Sequence, residues 1–286
     1  MFIVTGATGH VGSAVAETLL SAGKNVRVIV RNAAKAERLK SLGAEVFVAD
    51  LTDQAALGRA MRDGDGVFLL SPPDAVAKDF IHEREALTQR QVETLVRAKV
   101  PHAVFLSSVG AQHAAGTGPV LTAHHFEEQL RASGLPSTFV RAGYFLENWA
   151  AVADVVRNQG VLPSFMGKDQ HVPTVSTADI GKTVAQALLD GPRGVRIIEL
   201  AGPRDVTPTD VARIFSDVLA KPVNVVEAPL DAVVPTFKSF GISDNVAGLY
   251  REMYAAIKEG KLAPERGNEQ QRGTTPVEQT LRALIA

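Results

Sequence analysis

A chain of 286 residues with 45% hydrophobic and 21% charged side chains is long enough to bury a full core, and its composition excludes wholesale disorder and collagen-like repeats. Lys and Arg number 30 against 31 Asp and Glu, so there is no basic surplus to neutralise nucleic-acid phosphates. Cysteine is absent, which excludes disulfides, thiol nucleophiles and Cys-based zinc or iron–sulfur sites.

Met1-Phe2-Ile3-Val4 runs straight into Thr5-Gly6 without a basic stretch and apolar leader, and no segment is long and apolar enough to span a bilayer. The expectation is a cytoplasmic protein with neither membrane nor nucleic-acid partner. Taken in order, strands are predicted at Phe2–Thr5, Val26–Val30, Glu45–Ala49, Gly66–Leu70 and Ala103–Ser107. Helices are predicted between and after them at His10–Ala22, Ala33–Leu42, Asp53–Met61 and Glu83–Ala98. Near-continuous apolar strands alternating with helices predict an α/β, Rossmann-type, doubly wound parallel sheet.

The second half is less regular. Helices are expected at Pro119–Ser133, Tyr144–Arg157, Thr177–Leu189, Pro208–Leu219, Asp231–Phe240, Asp244–Lys258 and Pro276–Ile285. Strands are expected at Ser137–Arg141, His171–Val175, Val195–Ala201 and Pro222–Glu227. The polar stretch Gly260–Thr275 reads as a mobile surface loop. The chain divides into a dinucleotide-binding part, residues 1–150, and a smaller C-terminal part, residues 151–286, facing the substrate. Strands near 171–175 and 195–201 are expected to return to the main sheet.

Gly6, Gly9 and Gly12 are spaced G-x-x-G-x-x-G directly after the first strand and at the start of the first helix. Glycine permits the tight turn and the close approach of backbone to a diphosphate, and the free N–H groups of the helix start bind its charge. Thr8, His10 and Val11 belong to the same loop. At the end of the second strand, where a carboxylate would bind the ribose hydroxyls of NAD(H), stands Arg31, followed by Asn32 and Lys35. A guanidinium grips a 2′-phosphate, so NADP(H) is preferred over NAD(H); Arg31 is otherwise an ordinary solvated strand-end residue, and Lys35 an exposed helix residue. Asp50-Leu51 follows the third strand, where Asp50 either accepts from an adenine amine or serves a turn. Leu70-Ser71 ends the fourth strand and Ser107 the fifth, both on the carboxyl edge where such sheets bind ligands.

The loop Thr5–Gly12, Val30-Arg31-Asn32, Phe105-Leu106-Ser107-Ser108 and Arg141-Ala142-Gly143-Tyr144-Phe145-Leu146-Glu147-Asn148 together resemble the NmrA-like branch of the atypical short-chain dehydrogenases. The bacterial NADPH-dependent quinone oxidoreductases and triphenylmethane reductases of that branch are most alike. The resemblance implies an oxidoreductase acting on a small molecule, with Gly143, Tyr144, Phe145 and Asn148 beside the nicotinamide half of the cofactor. Tyr144 would then hydrogen-bond a substrate oxygen or pack, and Asn148 contact the substrate or cap locally.

One departure bears on mechanism. Ordinary short-chain dehydrogenases carry a Tyr-x-x-x-Lys pair on the helix that here reads Leu121-Thr122-Ala123-His124-His125-Phe126-Glu127-Glu128, without either residue. The family pattern makes His125 the candidate proton donor, against a structural role. A conjugated acceptor such as a quinone spreads the incoming charge and needs no strong acid at one oxygen, so hydride transfer to such a compound is the leading expectation. The alternative is a non-catalytic NADP(H)-binding redox sensor; an isomerase would need a proton-transfer pair that the sequence does not offer. No metal site is expected, and a second copy of the chain is the one macromolecular partner allowed for.

Overall fold

Apolar runs and helical stripes become strands and helices in the expected order in the computed structural model, which describes residues 1–286. Strands β1 (Phe2–Val4), β2 (Val26–Val30), β3 (Glu45–Val48), β4 (Gly66–Leu69), β5 (Ala103–Ser108) and β6 (Ser137–Ala142) alternate with helices α1 (His10–Ser21), α2 (Glu37–Ser41), α3 (Gln54–Ala60), α4 (Phe80–Arg97) and α5 (Leu121–Ala132). Beyond them come β7 (Tyr144–Phe145), α6 (Ala153–Gln159), β8 (Val161–Ser164), β9 (Thr174–Val175), α7 (Thr177–Asp190), β10 (Val195–Ala201), α8 (Pro208–Leu219), β11 (Asn224–Glu227), α9 (Val233–Ser239), α10 (Asp244–Lys258), β12 (Glu269–Arg272) and α11 (Val277–Ile285).

Eight strands form one sheet in the order β12-β10-β6-β5-β4-β1-β2-β3, with every neighbouring pair parallel. Parallel neighbours require crossovers, and the crossover helices bury both faces. The two-residue strand period sorts the side chains. In β4, Phe68 joins Val15 and Leu19 of α1 and Val184 of α7 on one face. Its neighbours Val67 and Leu69 join Leu57, Leu95, Phe126 and Leu130 from α3, α4 and α5 on the other. This is a doubly wound, Rossmann-type fold. The strand order reverses between β1 and β4, and the crevice at their carboxyl ends is where this topology places ligands. No helix is long and apolar enough to cross a membrane.

The C-terminal layer has its own core around Leu146, Trp149, Phe215 and Leu281. It is tied to the β4–α4 loop. Ser243 donates from N to Ala75 O (2.9 Å) and from Oγ to Ala77 O (2.6 Å), and Phe80 N donates to Asn245 Oδ1 (3.0 Å).

Three expectations need correction, and one element is additional. The stretch 260–275 is not a free loop: β12 lies within it and forms the edge of the main sheet beside β10. An edge strand reading Glu-Gln-Gln-Arg has no apolar face to betray it; it is held instead by polar contacts such as Arg196 Nε to Glu269 Oε2 (2.8 Å). Tyr144–Arg157 is not one helix but β7, a 3-10 segment Leu146–Val152, and α6. Of the strands expected to return to the sheet, β10 does, whereas Thr174–Val175 pairs with Tyr144–Phe145 in a separate two-stranded sheet. Strand β8, paired with β11, is the additional element.

Candidate active site

The loop between β1 and α1 has the form its glycines demand. Gly6 has φ +60°, and a Cβ there would sit 2.5 Å from Leu70 Cδ2. A Cβ on Gly12 would lie 2.2 Å from Gly6 O, so helix and loop touch through backbone alone. Gly9 caps α1 without a side-chain acceptor, and no acidic residue occupies the first turn. The opening N–H groups of α1 are therefore left for an external anion.

This loop divides a cleft into two halves that share Leu70 and Pro73. One half, about 470 Å³, is lined by Gly6, Thr8, Arg31, Asp50, Leu51 and Arg84 among others. Asp50 Oδ1 accepts from Thr52 N (2.8 Å) and Thr52 Oγ1 (2.6 Å), and these bonds, helped by the Arg31 charge, hold its carboxyl below the ordinary range. The other half, about 660 Å³, is lined by Gly9, His10, Val11, Gly12, Ser71, Ser107, Phe145, Glu147, Asn148 and Thr177, with Leu106, Pro119, Val120 and Ala123 as apolar wall. Ser71 Oγ is buried there without a hydrogen-bond partner. A buried polar atom with no partner is costly, and a bound ligand would relieve that cost.

Ser107 is held from behind. Its hydroxyl donates to Glu127 Oε1 (2.5 Å), and Glu127 in turn accepts from Arg141 Nε (2.9 Å) and Nη2 (2.7 Å). Arg141 Nη1 also bonds Glu265 Oε2 (2.7 Å) and Glu199 Oε1 (3.2 Å). Burial pushes the Glu199 carboxyl up, against the opposing pull of Asn268 and Arg141. With its proton committed to Glu127, Ser107 offers only oxygen lone pairs to the cleft.

The structure gathers Gly6, Thr8, Gly9, His10, Val11, Gly12, Arg31, Asp50, Leu51, Leu70, Ser71, Ser107, Phe145 and Asn148 along this one cleft. Four expected residues lie elsewhere. Lys35 is exposed on a short 3-10 turn and does not line the cleft. His125 faces α4 from α5, its Nδ1 3.8 Å from Glu85 Oε2, so it is not placed to give a proton in the cleft; Thr122 and Ala123 are the α5 residues that line it. Gly143 is needed for backbone packing, since a Cβ there would lie 2.5 Å from Pro173 O. Tyr144 precedes Phe145 in a strand, so the two side chains point to opposite faces. Phe145 lines the cleft, while Tyr144 packs edge-on to Trp149 (6.3 Å) in the C-terminal core. Burial pushes its hydroxyl well above the ordinary phenol range.

Sequence reasoning missed Arg84, Glu147 and Thr177. Arg84 opens the second turn of α4, and the helical period alone does not say which face of that helix meets the cleft. Glu147 lies inside a motif already singled out; its Oε1 accepts from Thr177 N (2.9 Å) and Oγ1 (2.7 Å), a pairing across thirty residues of separation that no local pattern announces.

The glycine cradle, the bare helix start and a cleft running from Arg31 to Phe145 fit an extended dinucleotide. The model of the NmrA-like family matches residues 1–278. The chain belongs to the NmrA-like family. This NmrA-like protein is 28% identical over 266 residues to the NAD(P)H azoreductase of Xenophilus azovorans, covering 92% of this chain and 89% of that protein. It is 29% identical over 270 residues to quinone oxidoreductase 2 of Escherichia coli K12, covering 92% and 90%. Among solved structures, the Escherichia coli NADPH-dependent quinone oxidoreductase in complex with NADPH superimposes with a TM-score of 0.84 at 25% identity over the whole of both chains.

Proposed function

We propose that this chain is an NADPH-dependent oxidoreductase that transfers hydride to a small, flat, conjugated acceptor such as a quinone. The general class, an NAD(P)H-dependent oxidoreductase, is the one its full-length relatives share. The observation that carries the finer reading is the two-part cleft: a guanidinium at one end, an apolar pocket at the other, and a glycine cradle between them.

Backbone amides at the start of α1 hold the diphosphate, and Arg31 faces the adenosine half, where a 2′-phosphate would neutralise it. A reduced nicotinamide, when bound, supplies the hydride. Leu106, Val120, Ala123 and Phe145 wall the pocket for a planar acceptor and exclude water from it. None of the residues lining this half is a lysine or a tyrosine, and His125 is turned away. A simple ketone would need an acid at its oxygen as charge develops there, whereas a quinone delocalises the charge and takes its proton from solvent afterwards.

The test mixes purified protein, NADPH and a panel of quinones and simple ketones and follows the absorbance of reduced nicotinamide. Quinones are reduced and simple ketones are not. Faster reduction of simple ketones would overturn the reading, as would tight NADPH binding with no oxidation across the panel.

A further inference from the structure

The acceptor half of the cleft is lined by one full charge, and that charge is negative. No lysine or arginine lines it; Glu147 is its only carboxylate. Glu147 Oε1 is engaged by Thr177 N and Oγ1 at the start of α7, but Oε2 is buried without any hydrogen-bond partner. The positive end of α7 offsets about half an elementary charge. The positive end of α1 is directed to the diphosphate and is not free to serve an acceptor.

The surroundings supply no hidden cation. Behind Ser107, Arg141 is already contacted by Glu127, Glu199 and Glu265. His10, the remaining titratable side chain of the lining, sits in the phosphate loop. If Glu147 served only to cap α7, one oxygen would suffice; the second, itself buried and unpartnered, leaves a field that an acceptor entering the pocket must meet.

On the reading given above, we propose that the acceptor half selects among flat conjugated compounds by charge, favouring cationic acceptors and rejecting anionic ones, and that Glu147 sets the preference. A sulfonated dye brings a negative charge toward a carboxylate that has no counter-ion in the protein. A delocalised cation finds its partner already in place.

The test compares a cationic phenothiazinium dye, a neutral naphthoquinone and a sulfonated azo dye of similar size, at about pH 8, where an ordinary histidine is neutral. Equilibrium binding to the protein loaded with a tetrahydro analogue of NADPH, whose ring is uncharged and gives up no hydride, is followed by the visible absorption of each compound, and kcat/KM is measured with NADPH. The wild-type protein binds the cation at least about tenfold more tightly than the sulfonate. Glu147→Gln keeps the oxygen that accepts from Thr177 and narrows that ratio by about tenfold, a coupling of ordinary size for a partly shielded charge. Ala151→Lys, at an exposed lining position four residues on in the same helical segment, brings a cation within reach of the Glu147 carboxylate, shifts the ratio toward the sulfonate, and serves if Glu147→Gln does not fold.

An unchanged ratio in the variants, or a parallel loss for all three compounds, overturns the proposal and leaves Glu147 a cap of α7. If no acceptor is reduced while the binding ratio still follows the charge, the oxidoreductase reading fails and the charge selection stands.

Discussion

A single methyl group separates glycine from alanine, and at position 12 the loop has no room for it. Gly12→Ala would place its Cβ 2.2 Å from Gly6 O and 2.9 Å from Ala7 Cα, both backbone atoms that cannot swing aside. Helix α1 must move off the loop, so the variant loses NADPH affinity by more than about tenfold and about 1–3 kcal/mol of stability, typical of overpacking. Calorimetric titration and a urea melt check the two effects; normal affinity would mean that the α1 start does not hold the diphosphate. Arg31 calls for a different experiment, because its side chain is exposed and its loss costs the fold little. A charged hydrogen bond to phosphate is worth about 1.5–3 kcal/mol, so Arg31→Glu weakens NADPH by roughly 10- to 100-fold and NADH far less. Equal losses for both coenzymes would show that the arginine does not read the 2′-phosphate.

Elements differ in how plainly the sequence announces them. Strands β1, β2, β4 and β5 are mostly apolar runs stopped by glycine, proline or polar residues, and the glycine loop between β1 and α1 is legible because backbone chemistry at that junction tolerates few alternatives. Strand β12 is illegible for the opposite reason: what holds it is polar and distant. Asp179, buried at the start of α7, accepts from Thr275 N (2.9 Å) and Thr275 Oγ1 (2.8 Å), and a Cβ on Gly273 would strike its carboxylate. The capping oxygen of α7 is that of Ser176, which leaves the Asp179 carboxylate free for this distant contact. The same limit applies at the cleft: the motif names both Tyr144 and Phe145, but a strand presents only one of two neighbours to the site, and here it is Phe145. Asp179→Ala leaves two donors of the half-buried Thr275 without their acceptor and costs about 1–3 kcal/mol. Hydrogen exchange of the β12 amides then accelerates while that of β1 does not. Exchange that rises equally in both strands would mean that Asp179 supports the whole sheet rather than its edge.

Across the whole molecule, stability is a small difference between large terms, so one buried titratable group can bend its pH dependence. His102 is fully buried at the start of β5, with Nε2 3.1 Å from Thr138 Oγ1 and Nδ1 unpartnered. Burial, with the Arg196 charge adding to it, pushes its pKa down to about 4. In the unfolded chain the ring returns to about 6.5, so between those values the unfolded state binds a proton that the folded state refuses. Stability is full above about pH 6.5 and falls as the pH drops toward 4, by up to about 3 kcal/mol from this residue, then levels off. Glu199 acts in the opposite sense, because burial lets the fold take up its proton first. The carboxylates held low, such as Asp50, Asp210 and Glu265, add their own losses only in more acidic solution. Comparing wild type with His102→Gln cancels these shared contributions, since the amide can still bond Thr138 but takes up no proton. Between about pH 6.5 and 5 the wild-type midpoint in urea declines, and that of the variant declines less. Parallel curves would show that the ring is neutral in both states over that range and that the acid sensitivity of the fold arises elsewhere.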